Sequence, residues 1–315
     1  MKKFTALLLC VVMMLSVVSC GSKELSDSIR IGTLVGPTGM GLIDLKDNKS
    51  INLEMYQAPT DAVQKLLSGD LDVACLPSNM GAVLNAKTNG NIKVITNVVN
   101  GVLYIVENGS SIKTLKDLKG HTIIGSGRGG TPEYVLEALL KNEGLTIGSD
   151  VQIEWLDNHA DVAQKIASTD GAIGLLPEPQ VSALSATSSS VNTVLDLNTL
   201  WKDMTGQELP MGILIAKKSF VEERLSDVDL LLALVQESVT DVQTASDEVV
   251  QKIVDAGIVP NPDLCKSVID SCALVCYSGN DTRDTLTAFY EKLYSVNPAS
   301  VGGVIPGADL YYGIE

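Results

Sequence analysis

The chain has few of the residues that build metal or catalytic centres. It contains two histidines, His121 and His159, and no Cys-x-x-Cys pair, so the sequence predicts neither a zinc nor a haem site. It also lacks a Gly-x-Ser-x-Gly motif and any histidine paired with a nucleophile. We therefore expect no cofactor, no metal and no catalytic residue, and we favour binding over catalysis.

Aromatic residues and positive charge are also scarce. Phe, Trp and Tyr make up 4% of the 315 residues, and the formal net charge is -15. Binding of nucleic acid requires clustered Lys and Arg, so the composition argues against a nucleic-acid partner. We attribute the acidity to solubility.

The cysteines give little information. Cys75 lies in an apolar, strand-like run and is expected to be a small buried hydrophobic residue. Cys272 and Cys276 are four residues apart, a spacing that suits a shared helix face better than a disulfide. Whether these two or Cys265 form a disulfide stays open.

One long apolar run lies at the N-terminus. Two lysines precede an apolar segment from Phe4 to Val18, which has the length of a signal peptide and is short for a membrane span. The segment leads into VVSCGSKE, in which small residues precede Cys20. We expect a bacterial lipoprotein with a signal peptide at 1–19, a lipid on the Cys20 thiol and a flexible tether at 20–27. Ordinary secretion with cleavage nearby is the alternative.

Two stretches one hundred residues apart are similar. KLLSGDLDVACLPSNMGAVL occupies positions 65–84 and KIASTDGAIGLLPEPQVSAL occupies positions 165–184. Their identities include the Leu-Pro pair at 76–77 and 176–177, and their apolar positions also agree. The match predicts two copies of one structural unit, and chance similarity of composition is the alternative.

Strand-like and helix-like patterns alternate along most of the chain, and the same order begins at Ile29 and again at His121. This alternation predicts an α/β protein with two lobes, each a mixed and mostly parallel sheet flanked by helices. We place the first lobe at 28–100, the second at 101–211 with the crossing strands, and the return to the first lobe at 212–315. We expect the crossing segments VVNG and ELPMG to form a two-strand hinge.

Ligands of open α/β sheets bind beyond the carboxyl ends of the strands, where helices begin. Four glycine- or proline-containing loops occupy such positions and are expected to converge on one cleft. The candidate ligand-binding residues are Thr38, Gly39, Met40, Ser78, Asn79, Ser126, Arg128, Gly129, Gly130, Thr131, Asn158 and Glu178.

Each candidate also has an ordinary structural explanation. Ser78, Asn79 and Thr131 could cap helices, Met40 could pack in the core, and Arg128 could be a solvated charge. The loop GSGRGG lacks the Gly-Lys-Ser/Thr ending of a nucleotide-binding loop. An arginine beside a helix start would suit a carboxylate, sulfonate or phosphate. We expect the divergence after the shared Leu-Pro, SNM against EPQ, to mark the site.

Four segments carry a family resemblance: IRIGTLVGPTGMGLIDL, AVQKLLSGDLDVACLPSNMGAVL, SIKTLKDLKGHTIIGSGRGGTPEYVLEALLKNEGL and LLPEP. Over roughly Ile29 to Ser295 the chain resembles extracytoplasmic solute-binding proteins of ABC importers. It is most similar to the group that binds sulfonates, taurine, nitrate and the pyrimidine precursors of thiamine. The resemblance implies a type II periplasmic-binding fold that closes on a small polar or anionic molecule, with a permease and its ATPase as partners. We expect a monomer anchored to the membrane by its lipid.

Two other functions stay open. The same two-lobed fold could carry an enzyme, for example of pyrimidine- or menaquinone-precursor metabolism. The fungal relatives that are enzymes have a histidine and a cysteine-rich motif, and this chain has no such cluster. A sensor or adhesion lipoprotein that binds a protein partner is the second alternative.

Overall fold

The computed structural model describes residues 24–314. The predicted signal peptide, Cys20 and the first part of the tether lie outside the described residues. The strands are β1 Ile29–Leu34, β2 Ile51–Tyr56, β3 Val73–Pro77, β4 Ile92–Asn100, β5 Leu103–Asn108, β6 Thr122–Ser126, β7 Gln152–Leu156, β8 Ile173–Pro177, β9 Val191–Asp196, β10 Pro210–Lys217 and β11 Leu274–Tyr277.

The helices connect these strands and follow the last long one. They are α1 Pro37–Gly41, α2 Pro59–Ser68, α3 Asn79–Lys87, α4 Thr131–Asn142, α5 His159–Ala167, α6 Gln180–Thr187, α7 Leu197–Thr205, α8 Lys218–Glu223, α9 Leu225–Gln243, α10 Asp247–Asp255, α11 Pro262–Val268 and α12 Gly279–Val296. Between positions 24 and 314, no helix is both long and apolar enough to cross a membrane.

The strands form two mixed sheets with one plan, which confirms the predicted two-lobed α/β fold. The first has the order β11-β4-β10-β3-β1-β2 and the second the order β7-β6-β8-β5-β9. In the first lobe β1 pairs parallel with β2 and with β3, and in the second lobe β6 pairs parallel with β7 and with β8. The other five pairings of the described strands are antiparallel. The sheets are therefore mixed, as predicted, but not mostly parallel, since β4, β5 and β10, which carry the chain between the lobes, pair antiparallel.

The sequence repeat is a structural repeat. In the first lobe, Lys65 Nζ on α2 lies 3.0 Å from Glu54 Oε2 on β2. In the second, Lys165 Nζ on α5 lies 2.5 Å from Glu154 Oε1 on β7. The same ion pair therefore joins the same helix to the same strand, one hundred residues apart, which chance similarity of composition does not explain.

The two lobes are connected where β4 passes into β5 and where β10 returns. Pro210 pairs with Asn100, so the outgoing and returning segments lie side by side. A Cβ on Gly101 would lie 2.8 Å from the Cβ of Asn198 at the start of α7, and the side chain of Asn198 accepts a hydrogen bond from Leu103 N at 2.9 Å. The first crossing segment thus needs a glycine and is held against α7.

A continuous apolar core extends from the first sheet to the inner side of the second. Trp201 on α7 is 1% exposed and packs against Phe289 on α12, with ring centroids 5.5 Å apart. Tyr290 on the same helix donates a hydrogen bond to Ser78 O at 2.9 Å. Helix α12 therefore contacts both lobes.

The cysteines in residues 24–314 are free, and three of the four are buried. Cys272 ends a 3-10 turn and Cys276 lies in β11, so the two do not share a helix face. A left-handed residue, Ala273, separates the turn from the strand. Cys75 is buried in β3, as its apolar neighbours predict.

Candidate functional site

A cavity of about 120 Å³ lies between the lobes, at the carboxyl ends of the parallel strands. Residues of the first lobe and of the crossing segments line it: Leu34, Val35, Pro37, Thr38, Gln57, Pro59, Pro77, Val99, Val102 and Met211. Residues of the second lobe complete it: Ser126, Gly127, Pro132, Asp157, Asn158, His159 and Pro177. We refer to this space as the inner cavity.

Proline forms a large part of the inner wall. Pro37 and Pro59 are the first residues of α1 and α2, and Pro132 is the second residue of α4, positions at which a missing N–H costs the helix nothing. Pro77 and Pro177 end β3 and β8. Because the proline ring fixes φ and carries no donor, these walls offer a ligand rigid apolar surface.

Ser126 and His159 form the most distinctive polar pair of the cavity. Ser126 Oγ lies 2.6 Å from His159 Nδ1. Burial lowers the pKa of His159 to about 4, so the ring is neutral at neutral pH. A neutral imidazole has one donor and one acceptor nitrogen. The pair can therefore hydrogen-bond a polar ligand without placing a charge beside it.

Two further polar residues follow the end of β7. Asn158 caps α5, since its Oδ1 accepts from Asp161 N at 2.9 Å and its Nδ2 donates to Asp161 Oδ2 at 2.8 Å. Asp157 is exposed to the cleft. Among the described residues that line the inner cavity there is no Lys or Arg, so Asp157 makes this space weakly anionic.

A second, outer cavity of about 470 Å³ adjoins the first. The two share Pro59, Pro77 and Gly127. The outer cavity is lined by Pro59, Thr60, Val63, Gln64, Pro77, Met80, Val83, Lys87, Gly127, Arg128, Gly129, Gly130, Tyr134, Ala299 and Gly302.

The structure places half of the twelve predicted ligand-binding residues at these cavities. The inner cavity contains Thr38, Ser126 and Asn158, and the outer cavity contains Arg128, Gly129 and Gly130. The other six are buried and line neither cavity: Gly39, Met40, Ser78, Asn79, Thr131 and Glu178.

Two of these six have clear structural roles. Met40 is completely buried in the core. Glu178 accepts hydrogen bonds from Ser182 N at 3.1 Å and Ser182 Oγ at 2.9 Å, which ties its carboxylate to the first turn of α6. Burial raises the pKa of Glu178.

Asn79 and Thr131 join the lobes directly. Asn79 N donates to Thr131 Oγ1 at 3.2 Å, and Thr131 Oγ1 donates to Asn79 Oδ1 at 3.2 Å. Asn79 Nδ2 also donates to Gly129 O at 3.1 Å. Thr131 is thus not the cap of α4, a position held by Gly130; its hydroxyl bonds to the opposite lobe.

Sequence reasoning did not single out Gln57, Pro59, Asp157 and His159. Extending the one-hundred-residue register towards the N-terminus pairs Gln57 with Asp157 and Pro59 with His159. The positions at which the two repeats differ and which line the inner cavity therefore follow β2 and β7. The divergence after β3 and β8, SNM against EPQ, is buried except for Met80 and Gln180.

A family model of the periplasmic phosphonate substrate-binding proteins of ABC transporters matches residues 47–202. This match supports a solute-binding role of the kind that serves ABC transporters. The matched residues include both walls of the inner cavity after β2 and β7. The family description supports a role of this binding protein in transport outside the cytoplasm and not in catalysis.

Solved structures support the fold of the binding protein. An ABC transporter protein from Parabacteroides distasonis is 22% identical with a TM-score of 0.73, and the match covers 90% of this chain and 98% of that one. The alkanesulfonate-binding protein SsuA from Xanthomonas axonopodis, bound to MOPS, is 14% identical with a TM-score of 0.71 over 93% and 100%. SsuA from Escherichia coli is 18% identical with a TM-score of 0.68 over 88% and 90%. No protein with a curated description matches the chain.

Proposed function

We propose that the binding protein captures a small polar or anionic organic molecule in the inner cavity, closes around it and delivers it to a permease and its ATPase. The observation that carries this proposal is the cavity itself, which takes its walls from both lobes. A solute that touches both walls stabilises the closed arrangement over an open one.

The wall chemistry suggests the kind of molecule. The prolines favour an apolar body, and the Ser126–His159 pair and Gln57 suit one or two hydrogen-bonding groups. This combination is compatible with a sulfonate ligand, one of the ligands bound by the proteins that the sequence resembles. Two of the structural neighbours are named as binding alkane or aliphatic sulfonates. The proposal includes attachment through a lipid on Cys20 and a monomeric state.

The test is native mass spectrometry of the protein, purified from its own host without added solute. We expect a small molecule that stays bound under gentle ionisation and is released by mild denaturation. X-ray scattering on the emptied and refilled protein should then show a smaller radius of gyration with the solute. Identical scattering curves, with no solute recovered and no thermal stabilisation by candidate solutes, would falsify the proposal.

A further inference from the structure

We propose that the outer cavity is an anion subsite, in which Arg128 and Lys87 hold the oxyanion group of a ligand whose apolar part occupies the inner cavity. This inference rests on the proposed function and makes it more specific. The oxyanion could be a carboxylate, a sulfonate, a phosphonate or a phosphate, because all of these present oxygen acceptors to guanidinium and ammonium donors.

The two cavities are parts of one cleft. Pro59 and Pro77 of the first lobe and Gly127 of the second line both spaces. One solute can therefore extend from the inner space into the outer one. The inner space has no Lys or Arg among its described lining residues, so an anionic group of a solute held there needs cations from another part of the cleft.

Arg128 has the properties of a ligand-binding cation. The other arginines of the chain pair with aspartates: Arg30 with Asp72, Arg224 with Asp227 and Arg283 with Asp284. Within residues 24–314, Arg128 forms neither a salt bridge nor a side-chain hydrogen bond. Gly127 and Gly129 on either side of it have φ of 76° and 78°, a left-handed backbone that favours glycine, and Arg128 between them lines the outer cavity.

Lys87 provides a second charge from the opposite lobe. It ends α3, is exposed, and has no salt bridge within the described part of the chain. The nearby carboxylate of Glu133 accepts from Gly129 N at 2.5 Å through Oε2, which holds that oxygen at the loop backbone. An anion that meets both Lys87 and Arg128 bridges the lobes at the rim of the cleft. In a chain with a net charge of -15, this local positive potential would also guide anions to the cleft.

Calorimetric titration with a matched set of probes tests the subsite. The probes share a butyl body and differ in the terminal group: butanesulfonate, butylphosphonate, pentanoate, 1-butanol and butylammonium. We expect at least one of the anions to bind more tightly than butanol and butylammonium, with an affinity that falls as salt is raised. Arg128→Gln and Lys87→Gln should each weaken that anion about tenfold and leave butanol unchanged.

Lys49→Gln is the control, because Lys49 is exposed, outside both cavities and without an ion pair in residues 24–314. Circular dichroism of each variant checks that the fold is retained. Equal affinity for anions and butanol, full anion affinity in both cavity variants, or no binding of any probe at millimolar concentration would each overturn the subsite. A native solute without an anionic group would overturn the subsite and leave the proposed function standing, whereas the absence of any solute would contradict both.

Discussion

At the scale of single residues, the Ser126–His159 pair determines the polar character of the inner cavity. His159 was the more difficult of the two to recognise, since a lone histidine without a metal or nucleophile motif gives no local signal. The strand that ends at Ser126 and the glycine loop after it were recognisable from sequence. His159 is the first residue of α5, and the packing of α5 beside β6 brings its ring to Ser126. This proximity is a property of the tertiary structure.

His159 makes stability depend on pH. Its pKa in the folded protein is about 4 against an ordinary value of 6.5, because burial disfavours the charged ring. Between these values the unfolded chain binds more protons than the folded one, so stability falls as the pH is lowered from 6.5 towards 4. We expect the melting temperature of His159→Gln to fall less steeply over this range than that of the wild type. Thermal unfolding at intervals of pH measures the difference.

The control for this experiment is His121→Gln. His121 is exposed and directly precedes β6, so its replacement controls for the loss of a histidine as such. Equal slopes for all three proteins between pH 4 and 6.5 would contradict the neutral state of His159.

Ser126 is expected to act on the ligand through His159. Ser126→Ala removes the partner of Nδ1 and frees the imidazole orientation, which should lower solute affinity by about 1 kcal/mol, or about fivefold. Titration of the recovered native solute measures the loss, and Thr122→Ala, an exposed change at the other end of β6, is the control. If Ser126→Ala binds the solute with unchanged affinity, the Ser126–His159 pair does not contact the ligand.

At the scale of secondary-structure elements, the starts of α3 and α4 hold the lobes together. Asn79 and Thr131 were predicted as ligand donors because they follow strand ends, and strand ends are where ligands bind. The prediction identified the right edge of the sheets but could not determine which side chains face the cavity. That choice depends on how the two helix starts approach each other, and no local pattern encodes this approach.

Asn79→Ala should loosen this contact. The substitution leaves Thr131 Oγ1 without its acceptor and the carbonyl oxygens of Gly129 and Ser300 without their donor, at an expected cost of about 1–3 kcal/mol in unfolding free energy. We also expect weaker solute binding, because these bonds join the two lobes that line the cleft. Urea denaturation and titration measure the two effects.

The matched control is Asn85→Ala on the same helix, whose side chain forms no hydrogen bond within the described chain. If Asn79→Ala and Asn85→Ala behave alike in both measurements, the bonds between α3 and α4 contribute nothing to closure.

At the scale of the whole molecule, the sequence was most informative. Strand and helix patterning, together with the repeat, predicted two α/β lobes and the order of their elements, since a buried strand and an amphipathic helix have strong periodic signals. The apolar contact between α7 and α12, formed by Trp201 and Phe289, was not predicted; we refer to it as the seam. Trp201 and Phe289 lie far apart in the chain, and each reads as an ordinary core residue of its own helix.

This seam should make the two lobes unfold together. Trp201→Ala removes a fully buried indole between α7 and α12 and should cost about 3–5 kcal/mol in unfolding free energy. In the wild type we expect one thermal transition, with far-ultraviolet circular dichroism and tryptophan fluorescence changing at the same temperature. Two separated transitions would show that the lobes are independent folding units.

The repeated ion pairs show that both lobes follow one plan, and this symmetry has a consequence for what the cleft can distinguish. Two identical walls would accept a solute equally well in either of two orientations. In this protein Gln57 stands where the other lobe has Asp157, and Pro59 stands where it has His159. The two ends of a bound molecule therefore meet different groups, and the cleft imposes a direction on a solute that has a head and a tail.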